Sequence, residues 1–356
     1  HRRAERHELG VLGLLALLMV VAPASAQISV TGLALPYSTA GSNSVAFDPV
    51  NKVHLFVEIG PPVMGRFLDK NGVSIGDSFN ISDESAWVGW SSIAVGGTPS
   101  DPVFLVTYLS LESSSNPKFG RLVRYRPGAA PTVSARSWIV DVGSEWYASE
   151  KGQSVWDGQQ FVVGTRVPGA AYPQVLIHHF DTSGNVTGGT YLSDSLDYEG
   201  SPAIACKTGD GTCLATGFAG GVPFGSVGGS WARLFNAWTL QTLSGLFYLD
   251  NHTSQNQDQG VVYHARTGQF LTAWWRAGYI DTRLVSSGGW LGPLVTNSFG
   301  PGAGDNRIAY NAGTQTTLLV VKWTGANLYA LELGDDGRPV NLGNVELLAL
   351  YNGTVQ

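Results

Sequence analysis

From Ser44 onward, apolar residues come in short runs, alternating or continuous, separated by turns rich in Gly, Asp and Asn. That is the pattern of many brief β-strands. Three stretches match one another most clearly: Ser44-Val-Ala-Phe-Asp-Pro-Val-Asn-Lys-Val-His-Leu-Phe-Val-Glu58, Gly260-Val-Val-Tyr-His-Ala-Arg-Thr-Gly-Gln-Phe-Leu-Thr-Ala-Trp-Trp275 and Arg307-Ile-Ala-Tyr-Asn-Ala-Gly-Thr-Gln-Thr-Thr-Leu-Leu-Val-Val-Lys322. Each reads strand, polar turn, strand. Each is followed by a third strand, a Gly-containing turn and a fourth strand, over Met64 to Gly76, Ile280 to Gly292 and Leu328 to Arg338.

Three less regular copies begin near Ser92, Gln153 and Ser201, so six starts fall near 44, 92, 153, 201, 260 and 307. Insertions at Leu109 to Lys118 and Gly220 to Ser230 account for the longer spacings. A repeat of about 50 residues has the size of a propeller blade. A single sheet of about 24 strands would be too wide and exposed at its edges, whereas radial packing buries both faces of every unit. The sequence therefore predicts an all-β fold, a six-bladed β-propeller of four-stranded antiparallel blades. No linker at the midpoint favours two three-unit domains instead. Ile28 to Tyr37 resembles a fourth strand and competes with Asn344 to Tyr351 for the edge of the last blade, so the manner of closure stays open.

The N-terminal segment and the composition bound the setting. Residues 1–26 carry Arg2, Arg3 and Arg6, an apolar run from Val11 to Val21 and a small-residue end at Ala22 to Ala26. This is the layout of a signal peptide cleaved before Gln27, leaving 27–356 as a single propeller domain. The run of 11 residues is too short for a membrane span, which needs about 20 residues of helix. The expected protein is secreted, extracellular or periplasmic. Three of the 21 basic and two of the 27 acidic residues fall in that segment, which leaves 18 against 25. Acidic balance with singly scattered Arg and Lys excludes a nucleic-acid partner, which needs clustered positive charge. Cys206 and Cys213 flank the turn-like Lys207 to Thr212, as a disulfide across a hairpin would. With no second Cys or His pair, they make an incomplete zinc site.

Phe270-Leu-Thr-Ala-Trp-Trp275, Arg66-Phe-Leu-Asp-Lys-Asn-Gly72 and Phe180-Asp-Thr-Ser-Gly184 resemble the loosely related repeats of secreted bacterial propeller proteins. In weaker form that resemblance covers nearly the whole mature chain. It implies a fold and no activity, because propellers host lectins, hydrolases, lyases and scaffolds alike.

In such a fold, the loops entering the first strands and those joining second to third strands meet around the mouth of the central channel. The second strands end in Val57-Glu58, Thr107-Tyr108, Thr165-Arg166, Thr216-Gly217, Trp275-Arg276 and Lys322-Trp323. The approaches to the first strands hold Trp87 and Trp90, Glu145 to Lys151, Tyr198 and Glu199, His252 and Asp258, then Asp305 and Arg307. These positions differ from blade to blade, as one composite site requires. Arg166, Arg276, Arg307 and Lys322 suit sugar hydroxyls or uronate carboxylates, and Tyr172, Trp275 and Trp323 offer flat faces to pyranose rings. Two of Glu150, Glu199, Asp258 and Asp305 would serve as the acid and base of a glycoside hydrolase if about 5 to 10 Å apart. His252 with Arg276 would serve β-elimination from a uronate. For each residue alone, the plainer account is a polar loop or an indole filling a gap between blades.

Other conspicuous residues read as structural. Arg66, Arg124, Arg233 and Arg283 recur at one position of the third strand, with His179 in the third blade. The adjacent His178 and His179 alternate across a strand and cannot easily share a metal. His264 falls in a turn on the face away from the mouth. Ser154 and Ser201 lack a Gly-x-Ser-x-Gly elbow and there is no phosphate loop, and the sequence names no cofactor and no metal. A carbohydrate-recognising propeller binding a glycan at the mouth is the first reading. A polysaccharide lyase or glycoside hydrolase on the same face, or a protein-interaction scaffold, are the alternatives.

Overall fold

Asp48 closes the first strand of the first repeat by turning its carboxylate onto the chain ahead, accepting from the amides of Val50 and Asn51 at 2.8 and 3.3 Å. Such a side-chain turn sends the backbone back antiparallel. Asp157 does the same for Gln159 and Gln160, and Asn311 for Gly313 and Thr314. Between second-half strands, Asp69 and Asp181 organise turns containing Gly72 and Gly184 at φ 84° and 99°, a region open to glycine at little cost.

The structure is a computed structural model that describes residues 44–84, 88–143, 152–169, 174–192, 202–219, 229–250, 256–276, 278–298, 303–323, 327–340 and 346–350. All of these belong to one compact unit, Gly32–Gln356. Among the described residues, 26 strands form six antiparallel sheets, the blades of a β-propeller. Blade one is β1 (Ser44–Asp48), β2 (Val53–Glu58), β3 (Met64–Asp69) and β4 (Ser74–Asn80). Blade two is β5 (Val88–Thr98), β6 (Asp101–Ser110) and β7 (Pro117–Arg124), with its fourth position split between β8 (Thr132–Val133) and β9 (Ser137–Asp141). Blade three is β10 (Ser154–Trp156), β11 (Phe161–Val167), β12 (Gln174–Phe180) and β13 (Val186–Tyr191). Blade four is β14 (Ala203–Cys206), β15 (Thr212–Ala219) and β16 (Gly229–Asn236), its outer position shared by β17 (Gln241–Thr242) and β18 (Phe247–Tyr248). Blade five is β19 (Asn256–His264), β20 (Gln269–Arg276), β21 (Tyr279–Ser286) and β22 (Leu291–Ser298). Blade six is β23 (Ala303–Asn311), β24 (Thr316–Trp323), β25 (Asn327–Leu333) and β26 (Glu346–Leu350). The outer strand of blade six is thus C-terminal chain, while residues 1–43 lie outside the described residues.

Burial follows from radial packing. All seven residues of β11 and the last eight of β6 are buried, because a middle strand has a blade on each side. Five apolar clusters fill the interfaces between successive blades, one through six. Polar side chains tie the same interfaces: Ser44 to Ser91, Ser92 to Ser154, and Gln153 to Ile204. Arg233 and Arg283 do this twice over, each reaching its own outer strand region and the end of the preceding blade, at the carbonyls of Leu192 and Leu249. Arg66 serves Ser74 and Ser78 of its own blade. In blade two it is Arg121 that reaches back, to Asp83, whereas Arg124 reaches forward to Thr182. His264 lies away from the mouth, stacked on Tyr310 at 4.6 Å and bonded to Thr317 Oγ1 at 2.7 Å, beside the Asp335–Arg266 pair. It joins blades five and six. Cys206 and Cys213, register partners on β14 and β15, form the disulfide.

Candidate functional site at the channel mouth

The mouth end of the interface between blades four and five holds the densest polar cluster described there. Trp274 and Arg276 alternate onto the side of β20 facing blade four, since Trp274 packs with Ala203, Ala232 and Leu234. Asp281 is the register partner of Trp274, and its fully buried carboxylate meets Arg276 Nε at 2.5 Å and Nη2 at 3.3 Å. Thr296 donates to the same carboxylate at 2.6 Å. Hydrogen bonding to Asp281 holds the Arg276 guanidinium above its ordinary value, and the charge of Asp250 adds to that. Asp250, also buried, accepts from Ser230 N at 3.1 Å and Trp274 Nε1 at 2.8 Å. Gln259 donates to Ser230 Oγ at 3.0 Å. Two groups here have unmet capacity: Gln259 Oε1 and Thr216 Oγ1 are buried and have no hydrogen-bond partner. Thr216 pairs with Ala203 and Ala232, so it faces the same interface. The exposed ring of Tyr279 stands 5.4 Å from the Arg276 guanidinium carbon.

Three inner strands are irregular at the mouth. The innermost strands of blades two, five and six each skip register at the mouth end, at Trp90, at Asp258–Gln259 and at Asp305. A bulge of this kind bends the strand and interrupts its ladder. Gly217, at the end of β15, is where a side chain would strike the Trp231 ring, with Nε1 at 2.8 Å from an added Cβ. The indole of Trp231 lies over that bare backbone with its Nε1 buried and unpartnered.

The residues singled out in the sequence are distributed unevenly. Arg276 is half-buried and committed to Asp281. Trp275 points to the opposite side, against Leu319 and Val321 of blade six, with Nε1 buried and unpartnered. Arg166 is buried at the end of β11, on the side facing blade four. Arg307 is exposed and donates to the Asn306 carbonyl at 2.8 Å. Asp258 and Asp305 occupy the bulges of β19 and β23, and Lys322 and Trp323 end β24. Glu150, Tyr172, Glu199 and His252 lie outside the described residues. Asp250 and Asn256 bracket the segment with His252, and Asn256 is the register partner of Arg276. Asp250, Asp281 and Gln259 were not singled out, and Thr216 entered only as the end of a second strand. Packing of blade four on blade five brings Asp250 and Gln259 to the cluster, and packing between blades leaves no spacing signal in the chain. Among the described residues, no three His, Cys, Asp or Glu side chains are grouped to hold a metal. No helix among them is long and apolar enough to cross a membrane.

No protein family and no curated protein matches this chain in sequence. Solved structures do match in fold. The periplasmic gluconolactonase PpgL of Pseudomonas aeruginosa superposes with a TM-score of 0.56 at 9% identity, over 81% of each chain. A mutant apocarotenoid oxygenase of Synechocystis gives a TM-score of 0.50 at 11% identity, over 87% of this chain and 71% of its own. At such identities the likeness is one of fold.

Proposed function

We propose that the chain is a secreted propeller that recognises a carbohydrate at the channel mouth, with the interface of blades four and five as the centre of the site. The observation that carries this is the pairing of a fixed charged group, Arg276–Asp281, with buried Gln259 and Thr216 atoms that have no protein partner. Buried polar groups are almost always satisfied, and sugar hydroxyls both donate and accept, which suits an amide oxygen beside a threonine hydroxyl. Tyr279 supplies an exposed ring at the rim. Arg166, Arg307, Lys322, Trp323, Trp275 and Tyr172 are the candidates for extending contact to neighbouring blades. The disulfide fits an oxidising destination.

A second reading, hydrolysis or elimination of a polysaccharide on the same face, draws on the bulges at Asp258 and Asp305 and on the dissimilarity of the blades. Glu150, Glu199, Asp258 and Asp305 remain its acid and base candidates. The Arg276–Asp281 pair makes hydrolysis the better of the two, because a uronate would have to compete with Asp281 for the guanidinium.

Neutral, amidated and uronate polysaccharides, tested for retained protein, new reducing ends and ultraviolet-absorbing unsaturated ends, decide between these. Retention without product is expected, weakened about tenfold by Gln259→Ala and unchanged by Trp290→Ala on an outer turn. Product of either kind makes the protein an enzyme. Failure to retain any polysaccharide removes the carbohydrate reading.

A further inference from the structure

The interface between blades two and three carries a second polar cluster at its mouth end, independent of the site above. Lys118 on β7 points into this interface and is 3% exposed. Among the described residues its ammonium has one hydrogen-bond acceptor, the Gly164 carbonyl at 3.4 Å. Gly152 makes room for it, since a side chain there would stand 2.7 Å from Nζ. Val163 packs with Leu105 and Leu122 of blade two while Gly164 faces Ile204 of blade four. Alternation therefore turns Thr165 to the Lys118 side, and its hydroxyl is buried without a partner. His178, the register partner of Val163, shares that side, and its buried Nε2 is likewise unpartnered. Ser154 and Thr107 complete the layer with a mutual contact of 3.2 Å.

We propose that this interface binds one small monovalent anion of halide size, held by the Lys118 ammonium together with the Thr165 hydroxyl and the His178 imidazole. A buried ammonium is stable only with a counter-charge or after losing its proton. Among the described residues, the contacts around Lys118 include no carboxylate, and the unmet groups beside it are able to donate. One cation among neutral donors calls for a single negative charge, and the close backbones of Gly152 and Gly164 call for a small ion. Without such an ion, burial pulls the amine down to about 7, and burial, with the Lys118 charge adding to it, lowers His178 to about 4.

The test is thermal unfolding of the full chain as bromide replaces methanesulfonate at constant ionic strength. A saturable rise in Tm is expected, following mass action, together with an anomalous bromide peak within hydrogen-bonding distance of Lys118 Nζ in a crystal. Thr165→Val should weaken the bromide response about tenfold, and Lys118→Met should abolish it. No saturable rise, or an equal rise in Lys118→Met, overturns the proposal. If that variant does not fold, the anomalous map of the unaltered protein decides, and a map with no peak at Lys118 overturns it.

Discussion

Two blade interfaces bury a cation at the channel mouth and treat it in opposite ways. Between blades four and five, Arg276 meets the buried Asp281 carboxylate through two nitrogens, and its proton is held more tightly. Between blades two and three, Lys118 meets a single carbonyl, and its proton is held less tightly. The difference lies in what each interface supplies. A third-strand aspartate, the register partner of Trp274, stands diagonally across from the arginine, while the lysine is surrounded by glycines, hydroxyls and an imidazole. The first arrangement is internally complete and fixes a rim. The second is complete only with something added or a proton removed, so buried charge by itself says little until its partners are counted.

Substitutions sharpen this contrast. The largest effect is expected from Asp281→Ala, which strands a half-buried guanidinium and removes the acceptor of Thr296. Breaking a buried pair from one side costs about 3–5 kcal/mol, and chemical denaturation would show the loss. Lys118→Met should act with the opposite sign. In halide-free buffer it should raise Tm at pH 7 by several degrees, because an uncompensated buried amine is replaced by a side chain of similar length. The unfolded-state amine titrates near 10.5 and the folded-state amine near 7, so the unfolded chain binds more protons between those values. The unaltered protein therefore gains stability as pH rises through that window, and the advantage of the methionine variant should close by about pH 10.5.

The smallest effect belongs to His178 and His264. Both imidazoles are pulled from 6.5 to about 4, chiefly by burial, with Lys118 and Arg266 respectively adding to the shift. The unfolded state takes up their protons first, so stability should fall as pH drops from about 6.5 towards 4, with each group adding at most about 1.4 kcal/mol per pH unit. Replacing His178 by Gln should remove part of that slope, and a slope unchanged in pH-dependent denaturation would contradict the assignment.

The fold is legible in the sequence because each blade repeats its punctuation. Asp69-Lys-Asn-Gly72 and Asp181-Thr-Ser-Gly184 turn the chain through the same side-chain bonds that their composition implies, and alternating Val53, Leu55 and Val57 are the buried face of β2. The recurring Arg233 and Arg283 are read correctly as structural, whereas grouping Arg124 with them misses that Arg121 makes the backward link. The site is less legible. Asp281 looks like any polar residue of a third strand until register sets it against Arg276. Lys118 looks like the end of an insertion until packing buries it. The first depends on hairpin register within blade five, between residues five apart, and the second on packing between blades two and three; no local pattern records either.

Hydrogen exchange of the full chain, with and without the polysaccharide it retains, tests the central claim most directly. Protection confined to the mouth ends of blades four and five, around Thr216 to Ala219, Asn256 to Gly260 and Trp274 to Arg276, is the predicted result. Protection at the opposite turns, residues 265–268 and 312–315, or along the outer strands bearing Trp138, Tyr191 and Tyr248, would contradict it.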